Sequence, residues 1–286
     1  MNVADAMTPR SEVVTVSLPG TRDDVLEYIQ ERGFSSVPVV KETDDGEAYR
    51  GLISRDDLIV EPDEDQLALL MQEVPTIGAD ATIEEAAELM RSTGARRVPV
   101  VTEHDEHVEL EGIVTLTDVV RAIARGEVPG DVAVDQLATL AVNTTYAGTP
   151  LSVAERELYF ADEPYAVALD GDAKMAGVIT EADIIAVASV VEGEDDAGAS
   201  VANQDDEWMW EGIKATGNRY LPTRNVEFPD GPVSEYMTAD VVTVTGKRTA
   251  QDAAQSMISN DVEQIPLVRG DALAGMVRDV DLLEAL

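Results

Sequence analysis

The stretch Gly94-Ala95-Arg96-Arg97-Val98-Pro99-Val100-Val101, followed after a polar loop by Gly112-Ile113-Val114-Thr115-Leu116-Thr117-Asp118, decides the fold. It predicts an apolar strand, a second strand opened by Gly112, and a helix beginning near Thr115. The same order of residues occurs three more times. Ser36-Val37-Pro38-Val39-Val40 leads to Gly51-Leu52-Ile53-Ser54-Arg55-Asp56-Asp57, and Tyr165-Ala166-Val167-Ala168-Leu169 to Gly177-Val178-Ile179-Thr180-Glu181-Ala182-Asp183. Gln264-Ile265-Pro266-Leu267-Val268 leads to Gly275-Met276-Val277-Arg278-Asp279-Val280-Asp281. Asp57, Asp118 and Asp183 recur at roughly 60-residue spacing, and a repeat in fixed order constrains architecture more than any single element does.

Working outward, each repeat has its own opening. Val3 to Pro9 reads as a short helical turn ended by Thr8-Pro9, and Val13 to Leu18 as an extended stretch. Thr21 is a candidate N-cap for a helix that buries Val25, Leu26 and Ile29 and ends at Gly33. In the second repeat, Thr82 and Glu85 form a capping box ahead of a stripe of Ala86, Leu89 and Met90, closed by Gly94. The unit is therefore β-α-β-β-α, an α/β (α+β) class of fold. The repeats fall at about 1–60, 67–126, 131–191 and 231–286. An insertion at 192–230 holds both tryptophans, Trp208 and Trp210, which either cover an apolar surface or meet a partner.

Composition bounds the partners. The 286 residues carry a formal charge of −37, and Lys41, Lys174, Lys214 and Lys247 are the only lysines among twenty basic residues. Such a surface predicts a halophilic protein: at ~1 M salt the Debye length is about 3 Å, and crowded carboxylates no longer repel one another. The same charge argues against nucleic acid and anionic membranes, which need a basic face. The chain has no cysteine, so thiolate chemistry and disulfides are excluded. No signal-like segment and no apolar run of about 20 residues is present, which predicts a soluble cytoplasmic protein.

Four units of this shape resemble cystathionine-β-synthase-type (CBS) domains. The resemblance rests on the Met7-Thr8 and Met237-Thr238 openings, the Val-Pro-Val strands at Val37 and Val98, and the Gly-x-x-(Ser/Thr)-x-x-Asp turns. It implies that repeats pair about pseudo-twofold axes into two modules, 1–126 and 127–286, in a monomeric four-repeat disc or a homodimer, as in the gamma subunit of AMP-activated protein kinase. It also implies a non-catalytic sensor with no required cofactor, which binds AMP, ADP or ATP as a regulatory ligand and acts on an unknown protein target. S-adenosylmethionine is the alternative ligand, and a ligand-free assembly module the alternative function.

Carried onto this chain, the resemblance assigns Ser54 with Asp57, Thr115 with Asp118, and Thr180 with Asp183 to ligand binding. The carboxylate takes the ribose diol and the hydroxyl faces phosphate at a helix N-terminus. Arg97, just before Val98-Pro99, is positioned to grip phosphate. The fourth turn has Arg278 in place of the hydroxyl and keeps Asp281, so Arg278 contacts a phosphate or its cleft is empty. Each of the three hydroxyl turns reads equally as a capping pair at a helix start, and spacing alone does not separate the two. No nucleophile–base constellation is present. His104 and His107, a His-x-x-His pair in an acidic inter-strand loop, read as solvated surface and not as metal ligands.

Overall fold

A computed structural model describes residues 1–32, 34, 36–43, 46–54, 57, 58, 64–105, 107–192 and 224–286. Gly33, the first closing helix beyond Leu58, and Trp208 and Trp210 lie outside the described residues. In chain order the elements are α1 (Val3–Ala6), β1 (Thr8–Pro9), β2 (Val16–Leu18), α2 (Arg22–Arg32), β3 (Ser36–Thr43), β4 (Gly46–Ser54) and α3 (Leu67–Leu70). Next come α4 (Ile83–Thr93), β5 (Arg97–Glu103), β6 (Val108–Thr115), α5 (Leu116–Arg125), α6 (Val134–Leu137), β7 (Thr144–Tyr146) and α7 (Leu151–Ala161). The chain continues with β8 (Tyr165–Leu169), β9 (Met175–Thr180), α8 (Glu181–Val187), β10 (Ser189–Glu192), β11 (Arg224–Glu227), β12 (Val244–Thr245), α9 (Ala250–Asn260), β13 (Gln264–Arg269) and β14 (Ala272–Arg278). A 3-10 helix covers Asp279–Ala285.

The mixed α+β reading holds. Three small sheets have the order β2-β3-β4, β7-β8-β9 and β12-β13-β14, with the first pair parallel in each. In the second repeat the parallel partner of β5 is reduced to a bridge between Ile77 and Val100. The first strand of each hairpin, β3, β5, β8 or β13, buries consecutive residues and so both of its faces, which is why it reads as a near-continuous apolar run. In β8, Ala166 and Ala168 join the cluster of Leu151, Leu158, Ile179 and Val233, whereas Tyr165 and Val167 pack with Val178 and Met276. In β3, Val37 and Val39 join Val25, Ile29, Ile53 and Leu67, while Val40 meets Val101 and Leu110 on the other side.

One expectation needs correction. Gly112, Gly51 and Gly177 do not open their strands; β6, β4 and β9 begin earlier, and the glycine lies inside, beside a β-bulge. The extra residue is Arg50, Glu111 or Ala176, just before the glycine and opposite Val39/Val40, Val100/Val101 or Ala168/Leu169 of the partner strand. The physical reason is a close backbone crossing. A Cβ on Gly112 would collide with the Thr8 carbonyl oxygen and meet Met7 Sδ at 2.8 Å. Reciprocally, a Cβ on Gly51 would meet the Gln72 carbonyl oxygen at 2.6 Å. The same exchange recurs between Gly177 and Thr238 (2.6 Å) and between Gly275 and Thr139 (2.9 Å). Repeats one and two thus trade openings, as do repeats three and four.

The described chain forms two compact units, Met1–Ala138 with Gly246–Ile265 and Val277–Leu286, and Thr139–Thr245 with Pro266–Met276. In the first, α5 and α9 pack together, and the side-chain amides of Gln255 and Gln251 donate to the Ala124 carbonyl at 2.8 and 3.4 Å. In the second, the start of α7 at Pro150 and the opening of repeat four at Pro232 exchange backbone bonds, Leu151 N to Gly231 O at 2.9 Å and Val233 N to Thr149 O at 2.8 Å.

Candidate functional site

The Thr115 turn shows how a strand end becomes a polar site. β6 stops because Thr115 turns its hydroxyl back to accept the Asp118 N–H at 3.3 Å, which satisfies an orphan donor of α5. Asp118 Oδ2 in return accepts the Thr115 N–H at 2.9 Å and its hydroxyl at 2.7 Å. Asp118 is a buried carboxylate, only 9% exposed, and its second oxygen accepts from Arg121 Nη1 at 2.7 Å. The negative side chain sits in the first turn, where the helix dipole favours it. Arg97 is the cross-strand partner of Thr115, so a guanidinium, a hydroxyl and a carboxylate are gathered at one end of one hairpin.

The other hydroxyl turns repeat this geometry. Ser54 donates its N–H and hydroxyl to Asp57 Oδ2 at 2.7 and 2.6 Å, and its oxygen accepts the Asp57 N–H at 3.2 Å. Thr180 does the same with Asp183 at 2.9, 2.7 and 3.2 Å. The cross-strand partner differs: Ser36 faces Ser54, and the buried Tyr165 faces Thr180. Only the second repeat, among these three, places a basic residue there. Repeating the capping pair is what a repeated fold needs for its helices; adding Arg97 is not.

In the fourth turn the Arg278 N–H donates to Asp281 Oδ2 at 2.8 Å, and the guanidinium reaches both carboxylate oxygens at 3.5 and 3.3 Å. An arginine cannot accept the helix N–H that a threonine would. The expected closing helix is here the 3-10 helix Asp279–Ala285. Its first residue, Asp279, is 6% exposed and salt-bridged to Arg96 at 2.5 Å, and it receives the Val280 N–H at 2.8 Å. Sequence reasoning noticed Arg96 only as the neighbour of Arg97 and missed Asp279 altogether. The two lie 183 residues apart, beyond any local pattern.

A hollow of about 510 Å³ lies at the opposite ends of the hairpins in the second unit, lined by Leu169, Lys174, Arg269, Asp271 and Leu273. It contains none of the predicted site residues. Elsewhere, burial raises the Tyr49 phenol well above its ordinary range, beside Val40 and Leu110. Among the described residues no helix is long and apolar enough to cross a membrane.

Comparison with known proteins agrees with this architecture. The CBS domain family matches residues 3–64, 67–125 and 233–286, leaving the third repeat, which lacks the Met-Thr opening and the strand proline, unmatched. An uncharacterized protein of Methanocaldococcus jannaschii, MJ1404, is 25% identical over 282 residues, covering 99% of this chain and 61% of that protein. A second from the same organism, MJ0188, is 32% identical over 125 residues, or 43% of this chain. This chain spans 61% and 44% of the lengths of these two relatives. A crystal structure of an uncharacterized conserved protein from Pyrococcus horikoshii superposes with a TM-score of 0.68 at 26% identity, covering 99% of both chains. MJ1225 from Methanocaldococcus jannaschii superposes at 0.63 with 21% identity and 99% coverage of both, a likeness of fold alone. With three repeats matched over more than half its length, the chain belongs to the CBS domain family.

Proposed function

We propose that this protein is a regulatory sensor, without chemistry of its own, that binds an adenine nucleotide at paired CBS repeats. One observation carries the reading: Arg97 stands in register with Thr115 at the N-terminus of α5, next to the buried carboxylate of Asp118. A helix N-terminus with a hydroxyl and a guanidinium suits phosphate, and a carboxylate suits a vicinal diol. Family membership supports adenosyl ligands, with S-adenosylmethionine as the alternative to AMP, ADP or ATP. Ligand would favour one arrangement of paired repeats and so bias a surface seen by a protein target. In this reading 1–126 and 127–286 are the two modules, and the cytoplasm of a halophile is the setting.

A ligand-free assembly module is the second reading, and one observation favours it. Every oxygen of the Thr115–Asp118 pair already has an internal partner, as capping alone requires. Isothermal titration calorimetry in ~2 M KCl, where surface repulsion is screened, separates the two. Saturable heat with AMP, ADP, ATP or S-adenosylmethionine is the expected result. No heat and no shift in melting with any of the four would leave the assembly module standing.

A further inference from the structure

Both histidines of the chain lie in the hairpin that joins β5 to β6. The antiparallel register runs Thr102↔Glu109 and Glu103↔Val108, and the next pair outward is His104 with His107. A backbone bond from His104 N to His107 O, 2.9 Å long, closes the ladder there. Cross-strand partners share a face, and residues two apart on one strand share a face, so His104, His107 and Glu109 all project from the same side. The side chains bear this out. The imidazole rings stack with centroids 4.8 Å apart and 24° between planes, and His104 Nε2 lies 3.0 Å from Glu109 Oε2. One ligand-type atom from each of the three falls within 4.8 Å of the others.

Although the sequence alone reads His104 and His107 as solvated surface, we infer from this convergence that the hairpin end is a binding site for a divalent transition-metal ion of the zinc class. Two imidazoles and one carboxylate form a borderline donor set, which suits Zn²⁺, Co²⁺, Ni²⁺ or Cu²⁺ and is poor for Mg²⁺ or Ca²⁺. Tetrahedral Zn²⁺ with bonds of about 2.0–2.2 Å holds its ligand atoms roughly 3.3 Å apart. The His104–Glu109 pair already meets that spacing, and His104 and Glu109 are exposed, which leaves their side chains room to turn toward an ion shared with the partly exposed His107. The fourth position falls to water, because three protein ligands leave it open. The acidic field of a chain with net charge −37 concentrates divalent cations at its surface, and the imidazoles give this hairpin a preference that plain carboxylates lack.

The test is titration of Co²⁺ into the full chain in ~2 M KCl, where screening suppresses diffuse binding to carboxylates. One equivalent should develop visible d–d absorption that one equivalent of Zn²⁺ abolishes and millimolar Mg²⁺ does not. His104→Ala and His107→Ala should each weaken Co²⁺ binding at least about tenfold, since losing a ligand costs no less than losing a residue that supports one. Glu109→Gln should weaken it and change the spectrum while keeping the hairpin intact. Spectra that do not change on adding Co²⁺, or binding that is equal in wild type and both alanine variants, would overturn the assignment.

Discussion

Asp118 is asked to do two things, and single substitutions separate them. As a cap partner it is worth about 1 kcal/mol to α5, so Asp118→Ala should lower the unfolding free energy by that amount in a denaturant melt. If it also holds a ribose, the same variant loses nucleotide affinity by more than tenfold in calorimetry; unchanged affinity would reduce the residue to a cap. Arg121 competes for the same carboxylate from a half-exposed position. Arg121→Ala should therefore tighten nucleotide binding, by at most about fivefold, the equivalent of the ~1 kcal/mol ceiling for such an ion pair. A second residue gives a pH signature. Burial raises the proton affinity of Glu155 on α7, Arg156 opposes this and Glu181 adds to it. The folded state thus holds that proton more tightly than the unfolded one, and stability falls as pH rises through the carboxyl range. Glu155→Gln should raise the melting temperature at neutral pH, and the gain should shrink as pH falls through that range. A gain that ignores pH would place its cause elsewhere.

The elements show what a sequence exposes and what it hides. Thr82–Glu85, Thr115–Asp118 and Thr180–Asp183 were legible as capping boxes because both partners lie within four residues. Gly112 was misread for the same reason: a glycine before an apolar run looks like a local turn, while the backbone it makes room for is near Thr8. Gly112→Ala should cost about 1–3 kcal/mol, as overpacking does, and a thermal melt that does not move would show that the Thr8 strand can yield. The Arg96–Asp279 pair was equally hidden. Arg96→Ala strands a carboxylate that is 6% exposed, and because Arg96 itself is half-exposed the expected loss is about 1–3 kcal/mol. Arg91→Ala, which breaks the fully exposed pair with Glu88, is the control and should leave the melting temperature where it was.

For the molecule as a whole, charge sets the working conditions. With a formal charge of −37, self-repulsion weakens the fold at low salt, so the melting temperature should climb steeply between ~0.1 and ~2 M KCl as the Debye length shrinks from about 10 Å to below 3 Å. Nucleotide affinity should persist or rise over the same range, because the field opposing an anion is screened along with the rest. A melting temperature that falls with KCl would remove the halophilic reading. The exchange of openings between paired repeats has an equally general consequence, this time in the order of events at the ribosome. The slot beside Gly112 that receives Thr8 does not exist until about a hundred further residues have emerged, and the slot beside Gly51 waits for Gln72. At about 5–20 residues per second, Thr8 waits roughly 5–20 seconds for that slot. A pair of repeats is therefore born as one folding event, with its earliest residues among the last to be fastened.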